Sequence, residues 1–363
     1  MYFATLNPMA PWLREYMVSQ GVTCFSCECD GRALYPVGLM RLARFLHRER
    51  IDIIHAHLFE PSIVGLLAGT LVRTPIRVLT RHYSDYHTRI SKKWHVRLDQ
   101  LCAGLSHEVI AVSDHTASHL IKVEKAPADK VSVVMNGIDF ERVKVSGVDA
   151  RTRIRKEFDC EDKHLLLIVA RLHPEKGHHY LFQALPEIRQ RCSKPVRLLV
   201  AGVGTFDAAY REDVSSAGCA DMVEFLGFRK DSPDLIAGAD LLVLPSLAEA
   251  FGLVLTEALY LGTPVVASRV GGIPEIVSDG VDGVLVPAAD SHALADAIVR
   301  LLENPAERHR LAGAGRERVV SRFRFEEMVR SYEMIYAKAA RACGEPLYSR
   351  EGNAGIDAEG AHG

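Results

Sequence analysis

The chain has little of several features that mark specialised protein classes. Its 363 residues contain no apolar run near the roughly 18 residues that a membrane-spanning helix needs. Its 8 cysteines are scattered, which excludes a disulfide scaffold and predicts a reducing, cytoplasmic location. Neither charge dominates, because 44 Lys plus Arg face 46 Asp plus Glu, so a dedicated nucleic-acid binder is excluded. The start, MYFATLNPMAPWLREYM, lacks the pattern of a signal peptide.

Two short clusters raise the question of a metal site. Cys24, Cys27 and Cys29 include a CxxC, but no second pair follows at zinc-finger spacing, and GVTCFSCE has the composition of a buried strand. A structural zinc site needs four ligands, so we predict no metal here. His55 and His57 come where a strand ends, and a structural or substrate-facing role is favoured over metal binding.

What is present is a regular alternation of apolar runs and helical stretches. Continuous runs rich in Val, Ile and Leu are typical of parallel strands that are covered on both faces. They recur at 51–57, 76–82, 107–113, 130–136, 164–171, 196–202, 222–227, 240–246, 264–268 and 283–287. Strand–helix–strand repetition predicts doubly wound α/β units.

A polar interruption at 137–163 divides the series and predicts two domains. We predict an N-terminal Rossmann-like domain over 1–140, a linker with a short helix over 141–160 and a C-terminal Rossmann-like domain over 161–325. A final helix over 326–343 and a disordered tail over 344–363 complete the chain. In such sheets ligands bind at the carboxyl ends of the strands, so the loops there are where chemistry is expected.

The stretch LPSLAEAFGLVLTEALYLGTPVVASRVGGIPEI, at 244–276, is the most informative. A strand ends at Leu244, and a helix is predicted to begin near Phe251, Gly252 and Leu253. Its free N–H groups and dipole favour a phosphate. If the span from Glu249 to Glu257 were fully helical, the two carboxylates would stand about 12 Å apart, the scale of a nucleotide sugar. The alternative is a surface helix with two solvated glutamates.

Two cations follow another strand end, in ARLHPEKG. Arg171 and Lys176 are spaced to clamp a diphosphate, the first through its fork and the second as a point charge. The Gly-rich turn AGVGTFD at 201–207 is not a complete dinucleotide motif, because Asp207 occupies the last glycine position.

These residues resemble glycosyltransferase family 4, the retaining GT-B enzymes of the glycosyl transferases group 1. The family's E-x7-E element corresponds to Glu249 and Glu257, and its phosphate pair to Arg171 and Lys176. NGID at 136–139 and VGGIPEIVSDGVDGVLVP also match, and the resemblance covers nearly all of 50–335.

The resemblance implies two Rossmann-like domains that face a central cleft, with the final helix crossing back to the N-terminal domain. It implies a nucleoside-diphosphate sugar as donor, held mainly by the C-terminal domain without a required metal or other cofactor. His82, in VLTRHYSDYH, matches a family histidine near the donor sugar. The candidate catalytic residues are therefore His82 and Glu249; the donor-binding residues are Arg171, Lys176, Phe251, Gly252, Leu253 and Glu257.

The N-terminal half departs from the family. The strand that resembles MYFATLN is preceded in the family by another strand and a Gly-rich loop, so we predict a domain without its first strand. Since that strand is central in a doubly wound sheet, its neighbours would be left with unpaired edges.

The acceptor is predicted to be a saccharide or a lipid-linked sugar, in cell-surface polysaccharide or glycolipid synthesis. Basic helices in the N-terminal domain favour peripheral contact with the inner face of a membrane, and solvated helix faces are an equal alternative. They contain Arg41, Arg44, Arg48 and Arg50, and then Arg89, Lys92, Lys93 and Arg97 around Trp94. Two alternative functions are a catalytically impaired homologue that acts as a binding or regulatory subunit, and another sugar-nucleotide enzyme such as an epimerase, which the pattern of Glu249 and Glu257 with Arg171 and Lys176 fits less well.

Overall fold

The structure, a computed structural model, describes residues 1–83 and 93–344. Arg89 and Lys92, and the predicted disordered tail after Gly344, therefore lie outside the described residues. The strands of the described residues form three sheets, one of six strands in the C-terminal half and two, of four and two strands, in the N-terminal half. All strand pairs are parallel.

The C-terminal sheet consists of β7 (His164–Val169), β8 (Val196–Ala201), β9 (Val223–Gly227), β10 (Leu241–Leu244), β11 (Val265–Ser268) and β12 (Val284–Val286). Its strand order, β9-β8-β7-β10-β11-β12, is that of a doubly wound fold. The order reverses between β7 and β10, where a crevice forms because the following connections leave toward opposite faces.

The central strand β7 is apolar on both faces of the sheet. Leu165 and Leu167 pack into the core on one face of the sheet, and Leu166 and Ile168 into the core on the other. A strand with apolar side chains on both faces is stable only when helices cover both.

Helices cover both faces of this sheet. The chain contributes α6 (Ala150–Glu157), α7 (His178–Arg191), α8 (Asp207–Ser216), α9 (Ser232–Gly238), α10 (Leu253–Tyr260), α11 (Ile273–Ile276), α12 (Ser291–Glu303) and α13 (Pro305–Arg322). Helix α6 lies in the polar stretch that was predicted to contain a short helix, and its Ile154 packs into the core of the C-terminal sheet.

The N-terminal half contains two separate sheets within the described residues. A pair, β1 (Tyr2–Thr5) and β2 (Thr23–Ser26), is not joined to the four-stranded sheet of β3 (Ile53–His57), β4 (Ile76–Arg81), β5 (Glu108–Ala111) and β6 (Val131–Val133). The helices of the N-terminal half are α1 (Pro11–Ser19), α2 (Tyr35–Arg48), α3 (Phe59–Leu71), α4 (Lys93–Leu105) and α5 (Asp114–Lys122). Single 3-10 turns occupy Arg32–Leu34, Ala128–Lys130, Pro174–Lys176 and Ala220–Met222.

This split agrees with the predicted departure from the family. Among the described residues β1 pairs only with β2, and β3 only with β4, so the edges of β1 and β3 carry no strand partner. Leu6, Leu42 and Val64 nevertheless share one apolar core, which links the small sheet to the larger one through α2 and α3.

The prediction of a buried strand in GVTCFSCE was wrong in its burial. No residue of β2 is buried, because β2 is the edge of a two-stranded sheet. The buried residues lie on either side of the strand, at Val22 before it and at Cys27 and Cys29 after it, and the two cysteines belong to the core beneath α2.

The chain crosses between the N-terminal and C-terminal halves at two segments, and these two segments lie side by side. Ile138 of NGID donates its N–H to Phe323 O at 2.8 Å and forms a parallel bridge with Arg324. Gly137 has to be glycine here, because a Cβ would lie 2.6 Å from the Cα of Phe325. The last helix, α14 (Phe325–Cys343), then packs Ile335, Ala339 and Ala340 against the N-terminal sheet.

Candidate active site

Two loops meet at the point where the C-terminal sheet reverses its order, one after β7 and one after β10. Leu247 N donates to Glu175 O at 2.7 Å and joins the loops. Gly177 has φ +69°, and a Cβ there would lie 1.9 Å from Pro245 O. Only glycine therefore allows the lysine-bearing loop to approach the Pro-Ser turn this closely.

This packing brings Lys176 and Glu249 together, 73 residues apart in sequence. Lys176 Nζ donates to Glu249 Oε2 at 2.6 Å, and the two side chains are only 13 % and 15 % exposed. Ser246 Oγ donates to the same carboxylate oxygen at 3.4 Å. A predicted phosphate-binding cation and a predicted sugar-binding carboxylate thus form one half-buried ion pair.

The glycine-rich turn of VGGIPE holds Glu249 from the other side. Gly272 N donates to Glu249 O at 3.0 Å. Gly271 has φ +54°, and a Cβ there would lie 1.7 Å from that same oxygen. The two glycines of the motif therefore place the backbone of Glu249.

Arg171 lies on the same loop as Lys176 and is exposed. Within residues 1–83 and 93–344 its side chain has no ion-pair partner, so its charge remains available to a ligand. The loop is backed by the turn after β8, where Leu172 N donates to Val203 O at 3.1 Å. Gly202 and Gly204 allow this, since a Cβ at either would meet a carbonyl of the loop.

Helix α10 begins at Leu253, as predicted, with Gly252 at φ +107° before it. The calculation of about 12 Å between Glu249 and Glu257 does not hold, because only the part of that span from Leu253 onward is helical. Phe251 is 3 % exposed and packs edge-on against Phe323, so only its backbone can face a donor. Glu257 lies mostly within the protein, and this burial raises the pKa of its carboxyl.

On the N-terminal side, three histidines cluster at the carboxyl ends of β3 and β4. His57 Nδ1 and His82 Nε2 are 2.9 Å apart. His55 contacts Tyr336 Oη through Nδ1 and Thr80 Oγ1 through Nε2, both at 2.6 Å. Burial lowers the pKa of His55 to about 3 and that of His57 to about 4, and it also lowers the pKa of His82, so burial favours the neutral form of all three rings.

A charged network fixes the strand end that carries His82. The Arg81 guanidinium is fully buried and pairs with Asp99 and with Glu124, the latter at 3.1 Å, and donates to Tyr83 Oη at 2.5 Å. Burial raises the pKa of Glu124 to about 7. The sequence did not reveal this network, because its members are far apart and individually unremarkable in the sequence.

The two domains touch across the cleft through Glu275 of the run VGGIPE. Its two carboxylate oxygens accept the N–H groups of Asp114 and His115 at the start of α5, each at 2.8 Å. Val112 of the N-terminal domain shares a core with Phe251. The carboxyl ends of the two sheets therefore face each other, with His82 on one side and Glu249 on the other. The role of Glu275 could not be predicted from the motif, because its partners lie in the other domain.

The described residues contain one group with the spacing of metal ligands, Glu187, His292 and Asp296. It lies at the surface, and Arg191 pairs with both of its carboxylates. The described cysteines are all free thiols, and Cys24, Cys27 and Cys29 do not form such a group. No helix of the described chain has the length and apolar character needed to cross a membrane.

Comparison with known proteins gives a consistent relationship over most of the chain. The model for Glycosyltransferase Family 4 matches residues 5–142, and that for Glycosyl transferases group 1 matches 150–318. The N-acetyl-alpha-D-glucosaminyl L-malate synthase of Bacillus anthracis is 31 % identical over 304 residues, 83 % of this chain and 78 % of the relative. A D-inositol 3-phosphate glycosyltransferase of Corynebacterium diphtheriae is 30 % identical over 325 residues, 85 % and 75 % of the two chains.

Solved structures share the architecture at lower identity. Anabaena HepE in complex with UDP and glucose superposes with a TM-score of 0.83 at 24 % identity, over 93 % of this chain and 91 % of that one. WaaG, a glycosyltransferase involved in lipopolysaccharide biosynthesis, gives a TM-score of 0.72 at 17 % identity, over 92 % and 99 %. Together with the matched models and curated relatives, these show that the chain belongs to glycosyltransferase family 4 and is a group 1 glycosyltransferase with the GT-B fold.

Proposed function

We propose that this glycosyltransferase moves a sugar, with retention of configuration, from a nucleoside-diphosphate sugar to a saccharide or a lipid-linked acceptor. The observation that carries the proposal is the Lys176–Glu249 pair at the reversal point of the C-terminal sheet. That point is where doubly wound sheets bind nucleotides. The solved structures of HepE with UDP and with UDP-glucose add support for a donor of this class.

The leaving diphosphate is stabilised by charge that the chain itself supplies. Lys176 and Arg171 stand on one loop, and the free N–H groups at the start of α10, from Gly252 to Leu253, offer further donors. Together they can neutralise the charge that develops on the diphosphate as the glycosidic bond breaks. We propose that no metal or other cofactor is required.

The two carboxylates have different roles in this proposal. Glu257 binds the ribose hydroxyls, and its half-buried position makes each hydrogen bond there less exposed to water. Glu249 contacts the sugar. When the donor binds, the ion pair between Glu249 and Lys176 must weaken, or Lys176 must contact both Glu249 and the donor. His82 reaches the sugar from the N-terminal domain, where its neutral ring can exchange hydrogen bonds with a hydroxyl.

The acceptor side is the N-terminal domain. Its helix α2 exposes Arg41, Arg44 and Arg48 beside a cavity of about 610 Å³ that also contains Phe25 and Phe45. We propose peripheral contact of this face with an anionic membrane surface, where each basic residue contributes about 1 kcal/mol. Sedimentation with anionic vesicles should carry the protein down, and neutral vesicles should not; equal sedimentation with both overturns the contact.

The decisive experiment is a donor screen that measures release of UDP, GDP or ADP from a panel of nucleotide sugars. Acceptors should include saccharides, lipid-linked sugars and small polyol phosphates. Release of one diphosphate that depends on acceptor, with the anomeric configuration preserved in the product, is expected. An inverted product excludes retention, and absence of release with every pair contradicts the proposed transfer activity.

The second candidate is a catalytically impaired homologue that acts as a binding or regulatory subunit. The separation of β1–β2 from the four-stranded sheet favours it, because the acceptor-side domain then lacks one continuous sheet. It differs from the first candidate in one result: calorimetry would show nucleoside diphosphate binding while no donor is turned over.

A further inference from the structure

The register of β3 and β4 places four polar side chains on one face of the N-terminal sheet. His57 lies opposite Thr80, and His55 opposite Val78. Since every second residue of a strand points to the same face, His55 and His57 share a face with Thr80 and, beyond the strand end, His82. Helix α14 packs over this sheet with Tyr332 and Tyr336.

His55 is a structural member of this group. Both of its ring nitrogens are engaged at 2.6 Å, one by the hydroxyl of Tyr336 and one by that of Thr80. It therefore ties α14 to β4 and has no nitrogen left for a substrate.

His57 is different, because its partner is the candidate catalytic histidine. The two rings contact each other through His57 Nδ1 and His82 Nε2, which are 2.9 Å apart. A hydrogen bond between two neutral imidazoles needs one N–H and one lone pair. The proton on this bond therefore fixes both tautomers at once.

We infer that His57 is a positioning residue that holds the ring orientation of His82 and couples the tautomer of His82 to its own, an inference that rests on the proposed role of His82 in transfer. If His57 donates, His82 carries its other proton on Nδ1 and offers a donor to the sugar. If His82 donates, its Nδ1 is an acceptor and His57 Nε2 carries a proton. In either case the two outer nitrogens present one donor and one acceptor, which matches a sugar hydroxyl that both donates and accepts.

The orienting contact and the outer nitrogen of His57 can be separated by substitution. The amide of His57→Asn stands near the position of Nδ1 and keeps a partner for His82, but lacks the outer nitrogen. His57→Gln places its amide near Nε2 and loses the inner contact, and His57→Leu loses both. His309→Leu, at an exposed position on α13, is the matched control.

Two measurements read the result, and the first needs no donor. With ¹⁵N-labelled histidine, Nε2 of His82, assigned through His82→Gln, should show the chemical shift of a hydrogen-bonded nitrogen in the wild type and in His57→Asn. In His57→Gln and His57→Leu this hydrogen-bond shift should be lost. In the same two variants, His57→Gln and His57→Leu, kcat should fall about 10- to 100-fold, the size of effect seen for orienting partners of metal-bound histidines. The KM for the donor should change far less.

Unchanged His82 resonances in all three His57 variants overturn the inference. So does an equal loss of kcat in His57→Asn and His57→Leu, which would mean that His57 acts by direct contact. If no donor is turned over, the proposed function fails while the resonances still decide whether His57 orients His82.

Discussion

At the scale of single residues, the Lys176–Glu249 ion pair governs how a diphosphate can enter. Removing Lys176 deletes a cation and also leaves Glu249 as an uncompensated carboxylate beside the ligand. Removing Arg171 deletes only a cation, because that side chain has no ion-pair partner among the described residues.

Lys176→Ala should therefore weaken binding of the cognate nucleoside diphosphate more than Arg171→Ala does. A charge-assisted bond to phosphate contributes about 1.5–3 kcal/mol, so each loss should be roughly 10- to 150-fold. Adding Glu249→Gln to Lys176→Ala should recover part of the affinity, since the repelling charge is gone. Calorimetry measures all three; full affinity in both single variants would refute the clamp.

Substitution of the two glutamates should affect different ligands. Glu257→Gln should weaken the free diphosphate and the intact donor by similar factors, because both contain the ribose. Glu249→Gln should leave the free diphosphate at least as tightly bound, since Lys176 is released, while kcat on the donor falls. Thermal unfolding first establishes that both variants fold. A loss of diphosphate affinity in Glu249→Gln as large as in Glu257→Gln contradicts this division.

The lowered pKa of His55 predicts that the stability of the folded protein depends on pH. Its pKa is about 6.5 when unfolded and about 3 when folded, so its stabilising contribution is complete above pH 6.5 and is lost as the pH falls toward 3. Urea unfolding of the wild type and of His55→Asn should give a difference in unfolding free energy that is largest above pH 6.5 and shrinks below it. A difference that does not vary with pH would show that His55 titrates normally in the folded protein.

At the scale of elements, the close packing of the β7 and β10 loops depends on glycine. Gly177→Ala combines a left-handed backbone with a carbonyl 1.9 Å from the new Cβ. The backbone conformation alone costs about 1–2 kcal/mol, and the clash should displace Lys176 from Glu249.

The expected result for Gly177→Ala is a lower unfolding midpoint together with weaker diphosphate binding. Gly313→Ala is the control, since this glycine lies in α13 with open space around it and a helical alanine is favoured by about 1 kcal/mol. Wild-type stability and diphosphate affinity in Gly177→Ala would show that the loop tolerates a shift.

At the scale of the whole molecule, Glu275 joins the two domains across the cleft. Its carboxylate caps α5 from the opposite domain through two N–H groups, an arrangement stabilised by the helix dipole. The bonds are polar and solvent-exposed, so they can break when the domains separate.

Glu275→Ala should therefore loosen domain closure. We expect a larger radius of gyration in X-ray scattering and a higher donor KM, while secondary structure by circular dichroism is unchanged. Glu317→Ala, an exposed carboxylate on α13, should behave as the wild type. If Glu275→Ala has the scattering profile and donor KM of the wild type, the contact does not hold the cleft closed.

Local pattern determined much of this protein by itself. Apolar runs with helices between them predicted every strand from β3 to β12 within a few residues, because a strand buried on both faces needs a continuous apolar sequence. The motifs ARLHPEKG and LPSLAEAFG could be assigned to one site, since both follow strands of the same domain. The wrong burial of GVTCFSCE has a local cause too: composition cannot tell an edge strand from a central one.

Tertiary structure decided what depends on contacts between distant residues. The sequence assigned Lys176 to the diphosphate and Glu249 to the sugar of one donor, but only the packing of Gly177 on Pro245 makes them an ion pair. It quoted Phe251 as a ligand residue, whereas the fold turns that ring into the core against Phe323. The pairing of His57 with His82 and the reach of Glu275 to α5 depend on strand register and domain closure, which no short stretch of sequence encodes, because each is set by the packing of segments far apart in the chain.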